Sequence, residues 1–145
     1  MMSKNDRIEK LLIAIPFFFA ISAIQDYYFT FLLSGTKENL MQNEFSPLLV
    51  YAVRHDLLIP YFVFTVIFSF SASYLVLKLL SGDEKLFYPA SAILILLSLA
   101  HTFGGLSWYF KNNAYSNAIL AISAITIMMA IFLFGWSILQ KRNVS

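Results

Sequence analysis

The chain has 145 residues and a net charge of +2, with 59% apolar and only 12% charged side chains. Soluble domains are roughly half apolar and a quarter charged, so this composition excludes an ordinary water-soluble protein. The small net charge gives no reason to expect a nucleic-acid partner. The absence of cysteine excludes disulfides, iron–sulfur clusters and cysteine-ligated zinc. We expect one domain over residues 1–145, with the lipid bilayer as its partner.

Four long apolar runs follow one another, at about 11–34, 57–80, 87–110 and 118–140. Each has roughly the 20 residues that a helix needs to cross a hydrocarbon core about 30 Å thick. The strands of a membrane barrel would alternate apolar and polar residues, and these runs do not. The sequence therefore predicts an all-α fold in which four transmembrane helices form an antiparallel bundle.

The first run could instead be a secretory signal peptide. The basic residues Lys4, Arg7 and Lys10 precede it, and Ala20-Ile21-Ser22 resembles a cleavage site. Apolar character continues to Leu33, however, which is long for a signal peptide. We therefore interpret the run as the first transmembrane helix.

The basic residues predict which side of the membrane each loop faces, because short cytoplasmic loops carry an excess of Lys and Arg. Three lie on one side of the predicted spans: Lys37, Arg54 and Lys111. Seven lie on the other side: Lys4, Arg7, Lys10, Lys78, Lys85, Lys141 and Arg142. We therefore expect a multi-pass protein of the cell membrane whose N- and C-termini are both cytoplasmic.

The loop between the first two spans, residues 35–56, is the longest and contains a helix-start signal. Ser46 can cap a helix and Pro47 suits its first position. We therefore predict a short interfacial helix at about 47–54. Asp56 follows it and is predicted to cap the second span.

Small residues on the spans predict close packing between helices, because lipid gives apolar side chains little reason to associate. They lie on the second, third and fourth spans: Ser69, Ala72, Ser73, Ala100, Gly104, Gly105, Ala121, Ala124 and Gly135. Such residues also suit docking against another membrane protein, and the sequence leaves both interpretations open.

The candidate functional residues begin with Asp26, because an ionisable group inside a span is costly and should have a partner. Asp26 lies eight residues before the outer end of the first span, and His101 lies nine before that of the third. Both should therefore lie roughly 12–14 Å deep, at about 1.5 Å of rise per residue. His101 is thus the predicted partner. Thr65 and Thr126 reach the same level on their own spans, and Thr30 lies one turn above Asp26.

Two interpretations of this cluster remain open. A buried Asp–His pair can be purely structural and determine how the helices pack. It can also form a site for a ligand, a proton or a metal, because ionisable groups within a membrane are usually functional.

A second polar group lies at the outer rim: Glu44, Arg54, His55 and Asp56. Carboxylates with a histidine can bind a metal or act as acid and base, and the alternative is a solvated surface with ion pairs. About 15 Å of helix rise separates His55 from the level of Asp26, so one metal ion would not reach both histidines. No spacing between histidines resembles a zinc motif, and we expect no metal site and no cofactor.

The stretch that begins at Asp26 resembles an uncharacterised family of small prokaryotic membrane proteins. Its members show Asp-x3-Thr in the first helix and Glu-x-Asn-Pro-Leu after it; here Asp26 and Thr30 precede Glu44-Phe45-Ser46-Pro47-Leu48. Ser46 replaces the asparagine, and the intervening loop is longer. The resemblance covers about a quarter of the chain and implies a similar fold in this region, without a known activity.

The expected topology is also similar to that of the four-helix sterol-isomerase and sigma-2-receptor superfamily. The shared features are cytoplasmic termini, a long first outer loop, and acidic and histidine residues that reach a cavity. The comparable residues here are Asp26, Glu44, Asp56 and His101. The resemblance implies a cavity for a hydrophobic amine or sterol-like ligand with acid–base groups beneath it, and we carry over no catalytic role.

These observations support two hypotheses of function. Small size and the absence of a strong catalytic motif favour a non-catalytic accessory or structural subunit of a larger membrane complex, a homo-oligomer, or a small binding protein. The matched depth of Asp26 and His101 favours instead a small intramembrane enzyme or a receptor for a hydrophobic ligand. Ion or proton transport is a third hypothesis, for which the inner halves of the spans offer few ionisable groups. The sequence leans away from an enzyme.

Overall fold

The computed structural model describes residues 4–142, and helices account for nearly all of that range. Six helices follow one another there: α1 (Lys4–Ser34), α2 (Lys37–Asn43), α3 (Pro47–Arg54), α4 (Leu58–Leu80), α5 (Glu84–Phe110) and α6 (Asn113–Arg142). Four of them, α1, α4, α5 and α6, are long and apolar enough to cross a membrane. The all-α class and the four membrane-length helices are therefore confirmed. The ends of the predicted domain, residues 1–3 and 143–145, lie outside the described residues.

Three of the membrane-length helices, α1, α5 and α6, begin earlier than the predicted spans, and α4 begins within one residue of its predicted start. α1 begins at Lys4 instead of near residue 11, and α6 begins at Asn113 instead of near residue 118. An apolar run shows only the lipid-compatible part of a helix, whereas polar first turns continue the same hydrogen-bond ladder beyond it. The C-terminal ends of α1, α4 and α5 coincide with the predicted ones.

The outer loop contains two short helices, of which the sequence predicts one. α3 has the expected bounds: Pro47 is its first residue, and the Ser46 hydroxyl accepts a hydrogen bond from the N–H of Leu49 at 3.3 Å. In α2, the Thr36 hydroxyl accepts one from the N–H of Asn39 at 3.1 Å. α2 has only seven residues and no apolar periodicity, so its cap is the one local signal that indicates it.

The prediction that Asp56 caps the second membrane-length helix is wrong. The residue before α4 is Leu57, and no side chain caps this helix start. Asp56 has a left-handed backbone with φ 57°, which aspartate tolerates better than most residues do. Its carboxylate accepts a hydrogen bond from Lys37 at 2.6 Å, so the side chain ties α2 to the segment before α4.

α1 contacts both α4 and α5, whereas α6 contacts α5 alone among the described helices. One apolar cluster joins α1, α4 and α5 around Leu12, Leu77 and Phe87. A second cluster, which includes Tyr27 and Leu49, packs α2 and α3 against the C-terminal half of α1. The core therefore consists of α1, α4 and α5, and α6 is attached to it through α5.

Small residues are placed differently on the core helices and on α6. Ser69 and Ser73 of α4 and Gly105 of α5 are buried, as expected where helices approach closely in lipid. On α6, Ala121 and Ala124 are exposed, so they do not pack against the core. The antiparallel four-helix bundle therefore stays a prediction, because within residues 4–142 α6 does not close against α1 or α4.

Candidate ligand site

Asp26 and His101 meet where α1 packs against α5. The His101 Nδ1 atom lies 2.8 Å from the Asp26 Oδ2 atom, which is a short hydrogen bond in which the imidazole N–H donates. The side chains are 23% exposed for Asp26 and 37% exposed for His101, so neither is sealed in the core. The second carboxylate oxygen of Asp26 and the Nε2 atom of His101 are therefore the atoms through which this pair can bind something else.

Two neighbours position the pair. The ring of Phe19, two helical turns before Asp26 on α1, packs against the imidazole with 5.6 Å between the ring centroids. Gly105 permits the close approach of the backbones, because a Cβ atom there would lie 2.8 Å from both the Cα and the carbonyl oxygen of Asp26. At Gly104 a Cβ atom would lie 3.6 Å from the Asp26 Oδ1 atom, which is an ordinary contact. Gly105 therefore sets the separation of α1 and α5 at the site.

A cavity of about 580 Å³ adjoins the pair, with walls from α1, α2, α5 and α6. We term it the polar cleft, after Asp26, Glu44 and His101, which line it together with Thr30. Its volume is within the range of small-molecule sites, roughly 300–1,000 Å³. Because α6 does not pack against α1, the cavity is a cleft between helices.

The walls of the polar cleft change in character along its length. Its ionisable, amide and hydroxyl side chains include Asn39, Asn43, Glu44, Ser107, Lys111, Asn113 and Ser116. Its apolar walls include Ile119 and Leu120, near the level of His101, and Leu97 and Ile127, which lie deeper along α5 and α6. Such a graded site fits a molecule with a polar end and an apolar end.

Glu44 is the second carboxylate of the polar cleft. Its Oε1 atom accepts a hydrogen bond from the N–H of Ser46 at 2.9 Å. Burial raises the pKa of Glu44 above its usual value, and the hydrogen bond from Ser46 opposes that rise. The negative charge of Asp26 adds to the rise, and the indole of Trp108 opposes it. The two carboxylates thus interact as like charges, and a cation placed near both would stabilise their ionised forms.

The two deeper threonines of the predicted cluster are not part of this cavity. Thr65 donates a hydrogen bond to the carbonyl oxygen of Tyr61 at 2.9 Å, and Thr126 donates one to that of Ile122 at 2.8 Å. Neither residue lines the polar cleft. Hydroxyl groups in apolar helices commonly bond the carbonyl oxygen four residues earlier in this way.

Of the predicted rim residues, only Glu44 lines the polar cleft. The His55 Nδ1 atom lies 2.8 Å from a carbonyl oxygen of α3. Asp56 pairs with Lys37, and this hydrogen bond lowers the pKa of the Asp56 carboxyl. Arg54 is exposed in the last turn of α3. Within the part of the chain that the structure describes, no group of three or more His, Asp or Glu residues could hold a metal ion.

Several residues that line the polar cleft were not among the candidates predicted from the sequence. Asn39 and Asn43 come from α2, which the sequence analysis did not predict. Trp108 lies seven residues after His101 on α5, and Ser116 and Ser123 lie seven apart on α6. Residues seven apart lie on one helix face, so a polar or aromatic repeat at that spacing in an apolar helix is the signal that could have found them.

Four apolar helices of this length are compatible with a multi-pass membrane protein, which is the class that the fold defines. Comparisons of the chain with protein-family models, with curated proteins and with solved structures found no match. The two family resemblances given above therefore stay predictions. The polar cleft, with the Asp26–His101 pair at its wall, is the candidate site of this molecule.

Proposed function

We propose that this chain is a small binding protein of the cell membrane that holds an amphipathic ligand with a cationic group in the polar cleft. In this proposal α1, α4, α5 and α6 cross the bilayer as antiparallel helices. Both termini are cytoplasmic, because the loops on that side carry the excess of Lys and Arg. The polar cleft then lies in the outer half of the membrane, and the residues act by binding, without a catalytic step.

The observation that carries the proposal is the position of the Asp26–His101 pair at the wall of a cavity. A pair that only fastens two helices together is best sealed between them, where no solvent or ligand competes for its hydrogen bond. Here the two side chains meet at 2.8 Å and still line about 580 Å³ of space. Ionisable groups placed this way within a membrane protein are typical of ligand and ion sites.

The described lining of the cleft carries two carboxylates, Asp26 and Glu44, against one ammonium group, that of Lys111, and this balance favours a cationic group on the ligand. Asp26 uses its Oδ2 atom to accept from His101, which leaves Oδ1 as an acceptor for a ligand donor. Glu44 supplies a second carboxylate, and Trp108 supplies an aromatic ring at the same cavity. An ammonium group would relieve the repulsion between the carboxylates and interact favourably with the ring.

A headgroup comparison tests the proposal. The chain contains two tryptophans, so Trp136→Phe leaves Trp108 as the single tryptophan, at the wall of the cleft, and its emission can be excited apart from that of tyrosine. In lipid nanodiscs, octyltrimethylammonium should change Trp108 fluorescence saturably, whereas octyl sulfate should not. Asp26→Asn should weaken the octyltrimethylammonium affinity by about tenfold, which corresponds to about 1.4 kcal/mol, because it removes a negative charge that faces the cation.

Glu38→Gln is the matched control. It removes a carboxylate from the exposed surface of α2 without changing the lining of the polar cleft, so the affinity should stay the same. Equal affinity for the two headgroups would refute a cation site in the cleft. The same conclusion would follow if the double variant with Asp26→Asn and Glu44→Gln bound octyltrimethylammonium as tightly as the wild-type chain does.

A second function, that of an accessory subunit, is favoured by α6. Among the described helices, α6 contacts only α5, and its exposed apolar side chains include Ile131, Phe132 and Phe134, at 66%, 71% and 69% exposure. Lipid can cover this surface, and so can a helix of another subunit. Purification in a gentle detergent, followed by native mass determination, distinguishes these cases. A discrete complex with a larger membrane protein supports the subunit role, and an isolated monomer that binds the cationic probe removes it.

A further inference from the structure

The polar cleft has an apolar continuation between α5 and α6. A second cavity, of about 230 Å³, has walls from α4, α5 and α6, and Leu86, Ile93 and Leu133 are among its almost wholly apolar lining residues. We term it the apolar pocket. Leu97 lines both cavities, so they meet at this side chain.

The same face of each helix borders both cavities. On α5, one stripe runs through Ala90, Leu94, Leu97, His101, Gly104 and Trp108. On α6, one stripe runs through Leu120, Ser123, Ile127, Ala130, Phe134 and Ser137. Successive members of each stripe are three or four residues apart, which places them on a single helix face. The two cavities are therefore the outer and inner parts of one groove.

We infer that the ligand is a single-chain amphiphile whose headgroup lies at Asp26 and Glu44 and whose alkyl tail extends past Leu97 into the apolar pocket. The inference rests on the proposed function and names the class of its ligand. The carboxylates and the imidazole of the groove lie in the polar cleft and suit a headgroup, and the apolar side chains beyond Leu97 suit a hydrocarbon chain. Among the described residues that line the apolar pocket, Ser137 is the only one with a polar side chain.

The length of the groove matches a lipid tail. From His101 to Ala90 the stripe on α5 rises about 16 Å, at about 1.5 Å per residue. A tail in a bilayer spans half of a hydrocarbon core about 30 Å thick, or about 15 Å. A tail of membrane-lipid length therefore fills the groove, whereas a tail of half that length ends near Leu97.

Photoreactive probes of two lengths test the predicted path of the tail, in the wild-type chain in lipid nanodiscs. Both are alkyltrimethylammonium compounds with a diazirine at the chain end, one octyl and one hexadecyl. Mass spectrometry of peptides should find the octyl label at residues such as Leu97 and the hexadecyl label at residues such as Ala130 and Leu133, which are part-buried at the walls of the cavities. An excess of unlabelled dodecyltrimethylammonium should remove both labels, because all three compounds share one headgroup site.

A pair of α6 variants adds a second measurement. Ala130→Phe fills the apolar pocket and should lower the hexadecyl label there about tenfold, the change that 1.4 kcal/mol of lost binding produces. It should leave the octyl label unchanged. Ala124→Phe adds the same side chain at an exposed position of α6 that lines neither cavity, and should change neither label.

The outcomes separate this inference from the proposed function. If both labels are removed by the competitor and by Asp26→Asn, but the hexadecyl label lies in the polar cleft or on lipid-facing residues, the inference is overturned and the binding function stands. If neither label responds to the competitor or to Asp26→Asn, the proposed function fails and the inference fails with it.

Discussion

Gly105→Ala tests how the site is built, because one methyl group would collide with the backbone of Asp26. The new Cβ atom would lie 2.8 Å from the Cα and carbonyl oxygen of Asp26, and backbone atoms have no rotamer through which to move aside. α1 and α5 would have to separate. Such overpacking destabilises by about 1–3 kcal/mol, and the better helix propensity of alanine offsets about 0.8–1 kcal/mol of it.

Gly104→Ala is the matched control, since it gains the same helix propensity while its Cβ atom would make only an ordinary 3.6 Å contact with Asp26. Subtracting one variant from the other cancels the propensity. The free energy of unfolding, measured by detergent titration in mixed micelles, should therefore be about 1–3 kcal/mol lower for Gly105→Ala than for Gly104→Ala.

The hydrogen bond itself offers a second readout. The chain has two histidines, so His55→Asn leaves His101 as the only imidazole for ¹⁵N NMR. The Nδ1–H signature of the bond to Asp26 should persist in Gly104→Ala and be lost or weakened in Gly105→Ala. Equal stability of the two variants, with an unchanged imidazole spectrum, would show that α1 and α5 do not approach this closely at Asp26.

Two further predictions concern the outer loop. Burial raises the pKa of Glu44, so the contribution of Glu44 to stability should be fully present below the ordinary glutamate pKa and should be lost as the pH rises through the raised pKa. In Glu44→Gln, the free energies of unfolding across that pH range should lack this loss. A loss that persists in the variant would assign the proton to another group. Ser46→Ala removes the cap of α3 and should lower the free energy of unfolding by about 0.5–2 kcal/mol. Ser46→Asn restores an acceptor and should recover most of the lost free energy of unfolding. Equal stability of Ser46→Ala and the wild-type chain would show that the cap contributes nothing.

Depth along a helix could be predicted from the sequence, whereas rotation about the helix axis could not. Asp26 and His101 lie at similar distances from the ends of α1 and α5, and both helices end where predicted, so the count of helical rise gave the correct pairing. Thr65 and Thr126 satisfy the same count, yet their hydroxyls bond their own helices. α4 and α6 are apolar on nearly all sides, so no amphipathic stripe indicates which face turns inward.

Local signals also explain which elements could be predicted. Ser46 and Pro47 predict the start of α3, because capping by serine and the fixed backbone of proline depend only on the adjacent residues. The contact between Gly105 and the backbone of Asp26 depends on the register of two helices far apart in the chain, which no local pattern specifies. The attachment of α6 to α5 alone is likewise a tertiary outcome.

For the proposed ligand site, the attachment of α6 to α5 separates the helices that carry the Asp26–His101 pair from the helix that would determine which ligands fit. Asp26 and His101 lie on two helices that pack closely, while the wall opposite them belongs to α6. Substitutions along that wall, at Ser123 or Ile127 for example, would reshape the groove without touching the acid–imidazole hydrogen bond. Diversification of the ligand in related chains would therefore concentrate on one helix, with the acid and the imidazole retained on the other two.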